Sequence, residues 1–524
     1  MIHIIQWSCR SFVMQDAHHP QLSSRWNPSS RCPSGGYLNP QQNICSLSLW
    51  SDNDVKSLRT VNKSINAAVD RATWEVLPII LNLNRYNLDR GMTMLEEFSH
   101  APASVVDRFL TLDIKSLNPS KHGRDIAPRR IFGDSGARLK PKDAEEIIEA
   151  RTKVPEIVSK ALSALKGLKA IRWLATQNDP EHVQVAVIES LGSLPHLADL
   201  HIDVETSVNI PPLHYLKNGS LLNLGIRHTS INKLSEPAQF MTSLATVLVH
   251  NPLLRGLELE MSAFHVDPLL PFHDLFRDVP PNTVQLRTLV LCGWSVQATP
   301  HLRSLCSIDL PCPWAVKVGQ TQGSDPCEGL WRSLREAGSD TPVPLRHIRC
   351  SQVSEELLHL LRSESTQGLE SLDVNDVCED TNERSNQLAR QFFEQAFHRH
   401  RGTLRILALI PEYTGDWTVG LGSLGRFDEY TQLTYLCVAF DPDEVRPGVG
   451  DNDVVASFIF RLARLPNLST VVVLPVCSRS HRSAGHHGKL MAGHSILVKI
   501  KESIEKTVIP ATSPVLPVNH YESE

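Results

Sequence analysis

No run of apolar residues in this chain is long enough to cross a bilayer. The opening MIHIIQW is cut short by Arg10 and no small-residue cleavage pattern follows, so neither a membrane anchor nor a secretory leader is expected. Excess charge of one sign is also scarce. Fifty-two Lys and Arg stand against 57 Asp and Glu, a formal net charge of −5, which argues against nucleic acid or a membrane surface as partner. The eleven cysteines are odd in number and never spaced CxxC. That excludes a disulfide framework and a zinc cage and points to reduced thiols in the cytoplasm or nucleus. A P-loop, G-x-S-x-G and HExxH are all missing, and no carboxylate pair stands out from the surface charge. The expectation is a protein that is not an enzyme and takes no cofactor or metal.

Two features imitate chemistry. GLGSLG at Gly420–Gly425 matches G-x-G-x-x-G, but the nearest strand candidate ends near Leu409, too early for a dinucleotide turn, so a connecting loop is expected. His481, His486, His487 and His494 have no Cys or carboxylate at ligand spacing and read as a polar tail.

Forty-one per cent of the residues are hydrophobic, enough for a large core. Their arrangement is repetitive. The pattern L-x-x-L-x-L, with aliphatic substitutions, returns as LKAIRW (Leu168), LADLHI (Leu197), LLNLGI (Leu221), LRGLEL (Leu254), LRTLVL (Leu286) and LCSIDL (Leu305). It continues as LRHIRC (Leu345), LESLDV (Leu369), LRILAL (Leu404), LTYLCV (Leu433) and LSTVVV (Leu468), with a possible earlier copy at Phe109. Period two inside each copy predicts a short strand. Between copies the period becomes helical: Asp179 and Asp453 are placed to cap helices, and Val454, Val455, Phe458, Ile459 and Leu462 share one face. One strand–helix unit cannot bury its own apolar side, whereas stacked units bury one another's. The sequence resembles the leucine-rich-repeat family in its irregular, longer form, although the usual Asn or Cys after the third aliphatic position is mostly missing. The resemblance implies an α/β class: a curved solenoid with parallel strands on the concave side and helices outside.

The expected organisation is a loose segment at 1–35, a small helical motif at 36–80, the repeats at 81–476 and a tail at 477–524 with a short amphipathic helix near Ile496–Val508. A basic insertion at 115–142 carries eight Lys or Arg against two Asp and reads as a solvated loop. The helical motif is NPQQNICSLSLWSDNDVKSLRTVNKSINAAV. Val55, Leu58, Val61, Ile65 and Ala68 share a helical face, and Ser51 and Asp54 have capping-box spacing. So few residues make little core, so that face needs a cover.

The motif resembles an F-box, the helical segment that docks on the Skp-family adaptor of cullin-based ubiquitin ligases. Asp54, Val55, Leu58, Val61, Lys63, Ile65 and the run Gln42–Ser46 match it; the Leu-Pro opening survives only as Leu38 and Pro40. The resemblance implies an all-α F-box-like motif whose adaptor-binding residues are Pro40, Ile44, Leu47, Val55, Leu58, Val61 and Ile65. The implied function is substrate recognition in a Skp–cullin–F-box ligase, with the repeats holding a protein. The alternative is a non-catalytic repeat scaffold whose F-box-like helices only cap the first repeat. Within each repeat the residues flanking the second and third aliphatic positions should line the concave side. They are polar early (Asp199, His201, Asp203; Asn223, Gly225, Arg227; Gly256, Glu258, Glu260) and apolar late. Ile406, Ile410, Tyr435 and Val472 are therefore the candidate substrate-binding residues, unless the C-terminal helix covers them.

Overall fold

The computed structural model of the 524-residue chain describes residues 3–6, 79–118 and 141–507 apart from short breaks, the longest of which are 229–236, 262–269, 311–326 and 477–485. In chain order the first elements are β1 (His3–Gln6), β2 (Ile79–Asn82), α1 (Leu88–His100), β3 (Thr111–Ser116), α2 (Pro141–Ala164), β4 (Ala170–Ala175), α3 (Glu181–Gly192), β5 (Asp199–Val204) and β6 (Asn223–His228). Next come α4 (Pro237–His250), β7 (Gly256–Met261), β8 (Leu270–Pro271), β9 (Thr288–Cys292), β10 (Trp294–Ser295), β11 (Ser307–Leu310), α5 (Glu328–Ala337) and β12 (His347–Cys350). The last are α6 (Glu355–Arg362), β13 (Ser371–Asn375), α7 (Asn382–Gln391), β14 (Ile406–Ile410), β15 (Tyr435–Ala439), α8 (Val454–Leu462), β16 (Thr470–Leu474) and α9 (His486–Lys506). Short 3-10 turns serve as further connections.

The chain forms two compact units, Arg10–Arg172 and Met1–Cys9 with Trp173–Glu524. In the smaller, β2 pairs parallel with β3, Ile79 opposite Leu112, and α1 packs on α2. Leu95, Leu112, Ile114, Val154, Val158 and Leu162 form its core.

The larger unit is an α/β structure built on a parallel sheet in the order β5-β6-β7-β9-β11-β12-β13-β14-β15-β16. Each strand therefore lies beside the next repeat's strand, and the helices and turns serve as the crossovers that parallel pairing demands. From LKAIRW to LSTVVV, every strand begins two residues after the first leucine of its copy. Those leucines are sealed: Leu197, Leu221, Leu254, Leu286, Leu305, Leu369, Leu404 and Leu433 are all 0% exposed. Inside β5 the burial alternates, with Leu200, Ile202 and Val204 inside and Asp199, His201 and Asp203 accessible, as a half-buried strand requires.

A backbone device fixes the stacking. Just before β6, β7, β9 and each of β11–β16, one carbonyl of the preceding repeat accepts two successive N–H groups. The N–H groups of Leu222 and Asn223 reach Ala198 O at 2.7 and 2.9 Å, and those of Arg255 and Gly256 reach Leu222 O at 2.7 and 3.0 Å. The same fork recurs at Arg255, Arg287, Cys306, Arg346, Glu370, Arg405 and Thr434. It depends on no particular side chain, which explains why the repeats persist without a regular Asn or Cys after the third aliphatic position. Two asparagines add side-chain stitching at the turns. Asn251, 0% exposed, donates to Leu216 O and Val247 O and accepts from Gly219 N–H; Asn218 donates to Leu191 O and Leu194 O. Behind the later strands the connections interlock through aromatic rings: Phe397 stacks on Tyr430 at 4.0 Å, and Phe458 meets Phe427 and Phe440 edge-on.

Several boundaries differ from the sequence reading. The 1–35 segment, expected to be loose, contains β1, which pairs parallel with β16, Ile5 opposite Val472. Lys115 and Ser116, assigned to the basic insertion, complete β3, and Pro141 and Lys142 begin α2; strand and helix propensity outlast the charge run at both ends. Asp179 does not cap α3. Its carboxylate turns back to Thr176 N–H at 3.0 Å, and Pro180 stands at the helix start without a side-chain bond. Asp453 does cap α8, accepting from Val455 and Ala456 N–H at 3.0 and 3.1 Å. The tail helix α9 is longer than expected and packs on α8, burying Ile496, Leu497, Ile500 and Ile504, with the Ser503 hydroxyl donating to Asp453.

Candidate functional site

The leucine row of each strand is spent on the core, so the other row is free to meet solvent. Across β5 to β13 that row is polar, and register brings opposite charges side by side. Arg227 of β6 lies opposite Asp203 of β5 and Glu260 of β7. Its Nε stands 2.5 Å from Glu260, and its Nη2 stands 3.5 Å from Glu258, which His201 approaches at 3.9 Å. Glycine makes room for the long side chains. A Cβ at Gly225 would fall 2.2 Å from His201 Nδ1, and one at Gly256 would fall 2.3 Å from Asn223 Oδ1. Val290 of β9 then separates this cluster from a second, in which Arg349 of β12 lies between Asp309 of β11 and Asp373 of β13 at 3.4 and 3.2 Å.

The face is short of cations. Six carboxylates (Asp199, Asp203, Glu258, Glu260, Asp309 and Asp373) stand on these strands with two guanidiniums, Arg227 and Arg349, and Asp199 takes its hydrogen bond from Asn223 instead. Asp309 shows the consequence. Burial pushes its carboxyl up to about 6 against the pull of Arg349, with Asp373 and Glu260 repelling it as well. Its Oδ1 is closed off from solvent with no hydrogen-bond partner. Glu258 is raised too, by burial first and by Glu260 second. The face remains accessible: the Glu258, Glu260, Asp309 and Asp373 side chains keep about a quarter of their surface and Arg349 keeps 51%.

Ile406, Ile410, Tyr435 and Val472 come together as the sequence suggests, on β14, β15 and β16. Ile406 is opposite Tyr435, and Ile410 and Tyr435 pack against a cluster of Ala408, Cys437 and Val472. Ile406, Ile410 and Tyr435 stay half-buried at its rim, while its centre is closed. Ala408, Cys437 and Val472 are 6%, 3% and 3% exposed, because small central side chains sink below large flanking ones. The tail helix α9 packs on α8 and also comes close to the end of β16, where a Cβ at Gly493 would lie 3.8 Å from Pro475 Cβ. Burial pushes the Cys437 thiol up to about 12, with the Asp373 charge adding to it, which favours the protonated form.

The glycine-rich turn is occupied by the protein itself. Glu444 accepts from Leu421 N–H at 2.5 Å and Ser423 Oγ from Gly420 N–H at 2.9 Å, so the backbone donors that would cradle a phosphate already hold a carboxylate and a hydroxyl. Of the four tail histidines, His486, His487 and His494 lie on α9. Among the described residues no group of three or more His, Cys, Asp or Glu side chains could hold a metal ion, and no helix is long and apolar enough to cross a membrane. Pro40, Ile44, Leu47, Val55, Leu58, Val61 and Ile65, the adaptor-binding candidates, lie outside the described residues.

The sequence reading found the Arg227 cluster but not the Arg349 one. The signal was present: Asp309, Arg349 and Asp373 occupy the same offset in LCSIDL, LRHIRC and LESLDV as His201 does in LADLHI. No family model matches the chain, and no curated protein matches it.

Proposed function

We propose that this chain is the substrate-recognition subunit of a Skp–cullin–F-box ubiquitin ligase, a stack of irregular leucine-rich repeats carrying an F-box-like segment. On this reading residues 36–80 dock on the adaptor through Val55, Leu58, Val61 and Ile65, and the repeats hold a protein substrate. The ligase half rests on the resemblance of residues 38–69 to the F-box. The binding half rests on one observation: the polar row of β5–β13 stays accessible while the leucine row behind it is closed. A long accessible face on a rigid parallel frame suits an extended protein partner better than a small molecule.

The test is co-purification of the full chain with a Skp-family adaptor. A stable complex is expected, and replacing Leu58 and Val61 together by Asp should abolish it, since an unpaired carboxylate buried in an apolar contact costs more than the roughly 1.5–3 kcal/mol a buried Leu or Val contributes. Unchanged thermal unfolding of the repeats in that variant would assign the loss to docking. Failure of the unmutated chain to bind would refute the ligase half.

A further inference from the structure

The proposed function leaves open which proteins the accessible sheet face would accept, and the charge on that face narrows the answer. Two properties coincide on β5–β13. The face is solvent-accessible, with side-chain exposures between 26% and 51% for Glu258, Glu260, Arg227, Asp309, Arg349 and Asp373. Its carboxylates outnumber its guanidiniums, and the two guanidiniums are already engaged by Glu258, Glu260, Asp309 and Asp373. An anionic occupant would meet uncompensated repulsion here; a neutral one would leave the excess carboxylates burdened by further desolvation. A cationic segment would supply the missing positive charge and relieve both.

We infer that the β5–β13 face binds an extended, lysine- or arginine-rich protein segment, its cations seated on the Arg227 cluster and on the Arg349 cluster. This inference deepens the reading of the face as the substrate surface and rests on it. Val290 marks the middle of the site, where the two clusters adjoin and an aliphatic stem between cations would lie. The seven strands from β5 to β13 are separated by six spacings of roughly 4.8 Å, a distance that about ten extended residues span.

The experiment is fluorescence anisotropy of the full chain with a labelled peptide of alternating lysine and alanine, about ten residues long, beside its glutamate–alanine counterpart. The lysine peptide should bind and the glutamate peptide should not, and affinity should fall as salt rises from about 50 to about 300 mM. Asp309→Asn with Asp373→Asn, and Glu258→Gln with Glu260→Gln, are nearly isosteric. Measured as separate pairs, each should weaken binding severalfold, and combined about tenfold. The control is Glu364→Gln with Glu429→Gln, which removes two carboxylates that pair with Arg399 and Arg401 away from the sheet and should leave affinity unchanged. Absence of binding, equal binding of both peptides, or equal loss in the control would overturn the inference. Adaptor co-purification is a separate measurement, so failure of either half is distinguishable from failure of the other.

Discussion

Replacing Asn251 by Ala probes the stitching between repeats at its most enclosed point. The side chain is 0% exposed. Its Nδ2 donates to Leu216 O at 3.3 Å and to Val247 O at 2.8 Å, and its Oδ1 accepts from Gly219 N–H at 3.0 Å. Val247 O also accepts from the Asn251 backbone at 3.0 Å and keeps that partner after the change. Gly219 N–H and Leu216 O lose theirs, and both belong to the turn before the preceding repeat's strand. A buried polar group left unsatisfied costs ~1–3 kcal/mol; Leu216 O is buried while Gly219 N–H is part-buried, so a loss of about 2 kcal/mol is predicted. The assay is urea unfolding followed by far-ultraviolet dichroism, read at constant m. Asn218→Ala, at a part-buried position, should cost less. A change of about 0.5 kcal/mol or below in Asn251→Ala, the scale of an ordinary surface substitution, would refute the view that this side chain fastens one repeat to the next.

Three further outcomes follow from named contacts. Asp453→Ala removes the α8 cap and the acceptor of the Ser503 hydroxyl, so it should cost ~1–2 kcal/mol and hasten proteolytic cleavage within α9. Val472→Asp places a carboxylate at a position 3% exposed and should lower the unfolding temperature far more than Ile406→Asp at the half-buried rim, as a thermal melt of both would reveal. Asp309 titrates near 6 when folded, facing Arg349, Asp373 and Glu260, and near 3.9 when unfolded. Between those pH values the folded state holds the extra proton, so this group's contribution to stability declines as pH rises through the window. Asp309→Asn should therefore be more stable than the unmutated chain at pH 7.5, with the difference shrinking toward pH 4; a constant difference would refute the assignment.

How much of this was legible in the sequence varies with the physics behind each feature. The strands were, because the first leucine of each repeat must be buried and aliphatic residues recur at period two after it; in LADLHI this gives β5 with alternating burial, whereas LSTVVV gives β16 with its three central residues all buried. The α8 cap was, because Asp453 precedes an apolar helical face. Asp179 misled because a carboxylate beside a turn has two sets of backbone N–H groups to choose from, and in the fold it accepts from Thr176. The forked carbonyl bonds leave no sequence trace, since any residue has a backbone carbonyl. The apolar residues of β14–β16 were identified by position, but their burial was not, because it depends on how far Ala408, Cys437 and Val472 sink between Ile410, Tyr435 and Leu474. β1 was missed because four residues carry too short a pattern, and its partner β16 lies at the other end of the chain.

Amide hydrogen exchange of the full chain, alone and with a Skp-family adaptor, tests the division of labour directly. The account predicts that the adaptor slows exchange within residues 36–80 and leaves β5–β13 unchanged. Adaptor-induced protection of β5–β13, or none within 36–80, would contradict it.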